Sequence, residues 1–319
     1  SMYYFIFRSK KTLQWLNFFL KSNTIDVIVV YNSNSFFIYS LYKFCKHYNI
    51  KLVCDCTEWY DGSHLPGGRF GLSNLDNNLR IRFLYPIVKN IISISSFLDE
   101  FFEKRGCNSI VIPPIMDILD SKWNRFESKI NSSNSIRLIY AGVPGKKDLI
   151  GRILAALDII NKSECKILFT IVGADALQIK EMFYSNVDIL PLFIKCLGRV
   201  KLDLVPQFYK ESDFSIIVRE NRRYAHAGFP TKLVESFFSG VPVISNCTSD
   251  IPKYLVNHNN GFLLNGNSIG DLVDCFNCIT SLSKDEILKM KLCAKETALN
   301  NFDFKSYSKP LREYFNNLN

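Results

Sequence analysis

"NRRYAHAGFPTKLVESFFSGVPVIS", residues 221–245, decides how this chain is read. A basic loop punctuated by Gly228 and Pro230 runs into a helical pattern that stops at Gly240, and an apolar strand, Pro242–Asn246, follows. Upstream, Phe214–Arg219 reads as a buried strand, so the loop Glu220–Pro230 leaves its carboxyl end. Strand, loop, helix and strand in that order are one repeat of a parallel α/β fold. Pro230 and Thr231 suit a first helical turn, where a missing N–H costs nothing. Gly228 lets backbone come close to a ligand, and the free amides at the helix start favour an anion such as a diphosphate. Glu235 lies four residues after Thr231, on the same face one turn deeper. A carboxylate there repels phosphate but accepts hydrogen bonds from paired sugar hydroxyls. Diphosphate at the helix start and ribose one turn along together describe a nucleoside diphosphate.

The same alternation extends outward from this stretch. Ile136–Ala141, Lys166–Gly173, Ile194–Val200 and Gly261–Leu264 read as further strands. Between the first two, Asp148–Ser163 carries Ile150, Ile153, Leu154, Leu157 and Ile160 on one helical face. Such sheets are covered on both faces and bind ligands beyond the carboxyl ends of their strands. The first half repeats the theme less completely. Ile25–Tyr31, Ile50–Cys56, Asn90–Ser95 and Ser109–Ile112 read as strands, with helices Ser35–Tyr48 and Ser96–Lys104 among them. Residues 120–135 are polar and rich in Asn and Ser, the best linker in the chain. The expected organisation is an α/β domain over 2–130, a second over 131–302, and a final helical segment, 303–319, crossing back to the first.

With 319 residues, 47% of them hydrophobic, the chain can fill more than one core. No run is long and apolar enough to span a bilayer, and no signal peptide is evident. The net charge of +9 is spread over both halves, 16 Lys/Arg against 11 Asp/Glu in residues 1–135 and 23 against 19 beyond. A diffuse excess suits small anionic ligands or an anionic membrane surface; nucleic acid asks for a concentrated basic stripe, which is missing. The ten cysteines fall mostly inside apolar patterns, where reduced thiols act as small hydrophobes. Cys275 and Cys278 lack a second Cys/His pair, so no zinc site is expected. This composition points to a cytoplasmic protein.

Two further pieces stand at the same sheet edge. "YAGVPGKKDLIGRIL", residues 140–154, follows the first strand of the second domain. Gly142 and Gly145 permit a tight turn there, and Lys146 and Lys147 supply charge for phosphate. Glycine spacing and Asp148 break the P-loop pattern, which disfavours a nucleoside triphosphatase. In "CLGRVKL", residues 196–202, Gly198–Val200 end a strand where backbone and an apolar side chain can hold a base. Each piece also has an ordinary reading, since Gly and Pro turns occur throughout α/β folds and Lys146, Lys147 and Glu235 are also compatible with solvated positions.

Together these residues resemble the retaining nucleotide-sugar glycosyltransferases of family 4, whose GT-B fold has two facing Rossmann-like domains. The marks are "AGVPGKK", "LGRV", "GFPTKLVESFFSGVPVIS" and "IISISSFLDEFFEKRGCNSIVIPPIMD", residues 91–117. The resemblance implies a metal-independent transferase without a cofactor, whose donor substrate is a nucleoside diphosphate sugar. By position, Glu235 would bind the donor ribose, Lys147 and the backbone of Gly228, Phe229, Pro230 and Thr231 the diphosphate, and Arg199 and Val200 would flank the base. Three departures matter. Ala227 stands where the family has the first of two glutamates, and Val143 replaces an Arg after Gly142, a cation that Arg219 could supply. The first domain is also short, with no leading Gly-rich loop and strands before Ile25–Tyr31.

"CDCTEWYDGSHLPGGRFG", residues 54–71, looks like an acceptor-side loop. A family His contacts the donor sugar near here, where this chain has Thr57 or Glu58, with His64 nearby. Asp55, Glu58 and Asp61 could bind sugar hydroxyls or assist deprotonation, or equally cap the helix starts around them; Glu58 and Asp61 are the catalytic candidates. The expected function is sugar transfer to a glycan or lipid-linked acceptor in bacterial-type surface polysaccharide assembly, at the inner face of the membrane. A non-catalytic or half-complete donor-binding subunit is the alternative, and a GT-B sugar-nucleotide epimerase ranks below it. A sheet without its leading strands leaves an edge to be covered by self-association, a partner chain or a membrane. Tyr3–Phe7 and the helix around Trp15–Phe19 are the expected contacts, unless that helix packs Trp15 and Phe19 inward.

Overall fold

The computed structural model describes residues 2–123, 125, 133–145 and 147–318, with residues 2–8 described by backbone alone. The chain is α/β and forms two compact units. One comprises Ser1–Pro113, Arg222–Phe229 and Tyr307–Asn319; the other comprises Pro114–Asn221 and Pro230–Ser306. Half of the segment read as a linker, including Lys129 and Ile130, falls outside the described residues.

The first unit holds a four-stranded parallel sheet, β1 (Val27–Tyr31), β2 (Lys51–Cys56), β3 (Asn90–Ser93) and β4 (Asn108–Val111), in that order. Val29 pairs with Val53, and Cys54 with Ile91. The helix Ser35–Tyr48 starts where the Asn34 side chain accepts the Phe37 N–H at 2.9 Å, and stops at Asn49 in the left-handed region. Its Ile38, Leu41 and Cys45 share a core with Leu52, Cys54 and Cys56. Ala227 belongs to that same core, and the Ser95 hydroxyl donates to its carbonyl at 3.1 Å. The loop expected over Glu220–Pro230 therefore contains a short helix, Arg223–Ala227. Five residues are too few to show a helical period in the sequence.

The helix Met2–Phe19 buries Leu16, while Trp15 is 58% and Phe18 70% exposed. Trp15 stacks on Phe19 at 5.2 Å, so the helix turns Leu16 inward and leaves Trp15 outward. The Tyr3–Phe7 side chains lie outside the described residues. No helix among the described residues is long and apolar enough to cross a membrane.

The second unit holds a six-stranded parallel sheet: β5 (Ile136–Ala141), β6 (Ile167–Val172), β7 (Ile194–Cys196), β8 (Phe214–Ile217), β9 (Val243–Asn246) and β10 (Gly261–Leu264). Its order is β10-β9-β8-β5-β6-β7. The chain winds outward from β5 in one direction and from β8 in the other, so the topological switch lies between these two strands. The five apolar residues read on one helical face, Ile150 to Ile160, are all buried in this unit's core with Leu138, Phe169 and Ile171. The segment after Pro113 also joins this unit. Met116 donates to the Phe302 carbonyl at 2.9 Å, and Trp123 packs on Phe238 at 5.4 Å. Residues 304–316 form a 3₁₀ turn, Phe304–Tyr307, and a helix, Ser308–Asn316. All ten cysteines are free.

Candidate functional site

Beyond the carboxyl ends of β5 and β6, three glycines let the chain crowd together. Gly142 and Gly173 have φ of 149° and 115°, and a Cβ on Gly173 would fall 2.6 Å from the Gly142 carbonyl. Gly173 donates to the Gly198 carbonyl at 2.7 Å, and Gly198 (φ 65°) donates back to Ala174 at 3.0 Å. Only residues without a side chain adopt this backbone freely. A cavity of about 780 Å³ opens here within the second unit, lined by Gly142, Gly173, Arg199, Val200, Tyr209 and Glu235 among others. Four residues singled out from sequence, Gly142, Arg199, Val200 and Glu235, thus face one cavity.

A buried polar cluster flanks Gly142. The Lys232 ammonium lies 2.7 Å from Asp148 Oδ2 and 2.8 Å from the Tyr140 hydroxyl, over the Tyr140 ring. Its side chain crosses Gly142 so closely that a Cβ there would meet Lys232 Cε at 2.5 Å. Tyr140 donates to Asp148 Oδ2 at 2.5 Å, and Arg219 Nε donates to Asp148 Oδ1 at 3.1 Å. Burial pushes the Asp148 carboxyl up, but Lys232 and Arg219 outweigh it and hold it at about 2. Burial lowers the Lys232 ammonium, opposed by Asp148. Two of the three Lys232 donors are committed to Asp148 and Tyr140, which leaves one to offer a ligand. Sequence reading missed Lys232, Tyr140 and Asp148 as one group, because they come from three separate elements. The available signal was Lys232 three residues before Glu235, on the same helix face.

Arg219 is held rather than free. Besides Asp148, its N–H donates to Asn246 Oδ1 at 3.0 Å, and its carbonyl accepts from Asn246 and Asn267. Glu235, on the helix Thr231–Phe238, has no hydrogen bond to its carboxylate from any described residue. Burial raises its pKa, against Lys232 and Lys122. Pro230 occupies the N-cap of this helix, and no side chain bonds the first turn. Lys147 lies in the turn after Gly145, and Lys146 falls outside the described residues.

The remaining sequence candidates belong to the first unit. Gly228 and Phe229 end its inserted segment. Gly228 has φ −98°, and a Cβ there would meet the Tyr224 carbonyl at 3.6 Å, an ordinary contact. The freedom of glycine is not required at this position. Glu58 is hydrogen bonded to the Tyr60 hydroxyl. Asp61 accepts the Ser63 N–H at 2.9 Å and its hydroxyl at 2.7 Å, which caps the turn Gly62–His64 and lowers the Asp61 pKa. Burial lifts Asp55 to about 6.

Residues 136–281 match the family described as Glycosyl transferases group 1. No curated protein matches the sequence. Among solved structures, sucrose-phosphate synthase from Thermosynechococcus elongatus superposes with a TM-score of 0.68 at 11% identity, over 96% of this chain and 77% of that one. Anabaena Alr3699/HepE, solved with UDP-glucose, gives 0.65 at 17% identity, over 91% and 79%. A mutant of S. aureus TarM, solved with fondaparinux, alpha-GlcNAc-glycerol and UDP, gives 0.67 at 13%, over 91% of this chain and 55% of that one. Two parallel sheets and these neighbours define the GT-B fold class. The family match spans the second sheet, from β5 to β10.

Proposed function

We propose that this chain transfers a sugar, with retention, from a nucleoside diphosphate donor to a glycan or lipid-linked acceptor, without a metal ion. The observation that carries the reading is the cavity beyond the carboxyl ends of β5 and β6, with Glu235 on its wall and Lys232 beside Gly142. In this arrangement the diphosphate sits against Lys232 and the uncapped start of the helix Thr231–Phe238, whose amides and ammonium replace a divalent cation. Glu235 accepts the ribose hydroxyls, and Arg199 and Val200 flank the base. UDP and UDP-glucose in the Anabaena structures support the donor class. Surface polysaccharide assembly at the inner membrane face belongs to the same proposal, as does association through the exposed Trp15 and Phe18 with a second chain or a lipid surface.

Thermal unfolding with a panel of nucleoside diphosphates in chelator tests the site. A ligand at a hundredfold excess over its Kd stabilises by about 2.7 kcal/mol. A shift that appears only with added Mg²⁺ or Mn²⁺ overturns the metal-free reading, and no shift with any nucleotide overturns the site. A second reading, donor binding without transfer, is favoured by Ala227. It stands where the family resemblance places a glutamate, yet it is fully buried in the first unit's core. Donor binding with neither hydrolysis nor transfer on an acceptor panel would select that reading.

A further inference from the structure

In the first unit, Trp59 gathers two arginines. The guanidinium carbon of Arg223 lies 4.4 Å from its ring centroid and that of Arg82 lies 5.1 Å away. The three residues come from distant places in the chain: the loop after β2, the π-helical turn Arg80–Leu84, and the inserted helix Arg223–Ala227. Trp59 is 3% exposed, and among the described residues its indole Nε1 has no acceptor and the buried Arg223 Nε and His64 Nδ1 have no partner. His64 packs edge-on against Tyr224 at 4.8 Å, next in sequence to Arg223. Arg82 gives its Nε to Asn78 Oδ1 at 3.2 Å.

Among the described residues no carboxylate pairs with either guanidinium. Asp61 acts on Arg223, but its Oδ1 already accepts both Ser63 donors. Burial and then the repulsion of Arg82 lower the Arg223 pKa, and both outweigh Asp61. Two like charges at one apolar ring, with buried donors lacking an acceptor, are a costly arrangement by themselves. An oxyanion removes both costs at once. Planar guanidinium forks match the two oxygens of a carboxylate or phosphate, and the indole N–H supplies a further donor.

We propose that Arg82, Arg223 and the Trp59 indole N–H form an oxyanion site in the first unit, which takes a phosphate or carboxylate group carried by the acceptor. The word acceptor rests on the transferase reading, whereas the oxyanion site stands without it. The consequence is a substrate class: the glycan or lipid-linked acceptor is anionic, and a neutral sugar is not held here.

The test uses the full chain, whose three tryptophans give three indole N–H signals in a ¹H–¹⁵N spectrum. Trp59→Phe assigns one of them. At constant ionic strength set by chloride, inorganic phosphate or acetate should move the Trp59 signal saturably, while a neutral methyl glycoside leaves it in place. Arg82→Gln and Arg223→Gln should each weaken that response about tenfold or more, the loss expected for a charge-assisted bond. Unmoved Trp15 and Trp123 signals verify that these variants are folded. A uronic acid disaccharide and a polyprenyl diphosphate in detergent, titrated in parallel, distinguish a glycan anion from a lipid one. If the Trp59 signal stays fixed with every anion, or responds equally in both Gln variants, the stacked arginines are structural and the proposal fails. Nucleoside diphosphate binding is followed separately by thermal shift. An indole response without nucleotide binding defeats the transferase reading alone, and the converse defeats the oxyanion site alone.

Discussion

Replacing Asp148 by Asn removes the one carboxylate that Lys232 and Arg219 share. Its carboxyl is held at about 2 against an ordinary 3.8. That difference corresponds to about 2.5 kcal/mol of stability. Breaking a buried pair from one side typically costs about 3–5 kcal/mol, because the partner charge stays behind. These figures describe the same interaction, so the expected loss is about 3 kcal/mol near pH 7. For a unit of this size that is a fall of roughly 6–12 °C in Tm. The folded pKa is depressed, so the stabilisation is complete above the unfolded pKa and fades as pH falls toward 2. Linkage puts the carboxylate's contribution at about half its neutral value by pH 3. Urea denaturation of wild type and Asp148→Asn between pH 7 and pH 3 measures this directly. UDP should stabilise the variant at least as much as the wild type, since its two cations no longer answer to a carboxylate. A loss below about 0.5 kcal/mol at pH 7, the ordinary range for a surface change, would refute the reasoning. So would a loss of unchanged size at pH 3.

Glu235→Ala should weaken nucleoside diphosphate binding roughly tenfold to a hundredfold with the fold intact, the loss expected for charge-assisted bonds to ribose; unchanged affinity by calorimetry would make Glu235 a structural residue. Asp55→Asn should raise Tm above pH 6 and lose that advantage below pH 4. The Asp55 carboxyl is raised to about 6, so the wild type holds its proton more tightly folded than unfolded, and that stabilisation is lost as pH rises through 6. A difference in Tm that is flat from pH 4 to pH 8 would contradict it.

Much of the second unit was legible because its signals are local. The helix face from Ile150 to Ile160 repeats at helical spacing, and β10 runs from Gly261 to Leu264 as read. In the site, Gly142 and Glu235 stood out because one is a turn glycine and the other an acid between the apolar residues Val234 and Phe237. Relations between distant elements were not legible. Asp148 could be read only as a break in a phosphate-loop pattern, and the Lys232 and Tyr140 that it joins to Arg219 lie on other elements. Arg219 was read as an available cation because nothing local announces its partner. The inserted helix Arg223–Ala227 escaped notice for its length, and Gly228 was credited with a freedom its backbone does not use.

Ala227 has a further consequence, for how the protein is made. It sits fully buried among Cys56, Leu98 and Phe102, yet the ribosome delivers it long after them. At about 5–20 residues per second, the stretch from Pro113 to Arg222 takes on the order of ten seconds to emerge. Through that interval the first unit's core lacks a piece, and the Ser95 hydroxyl lacks the carbonyl it will bond. Completion of the first unit therefore waits on synthesis of the second. A nascent chain interrupted before residue 222 keeps that apolar core open, and so advertises its own truncation to chaperones and proteases.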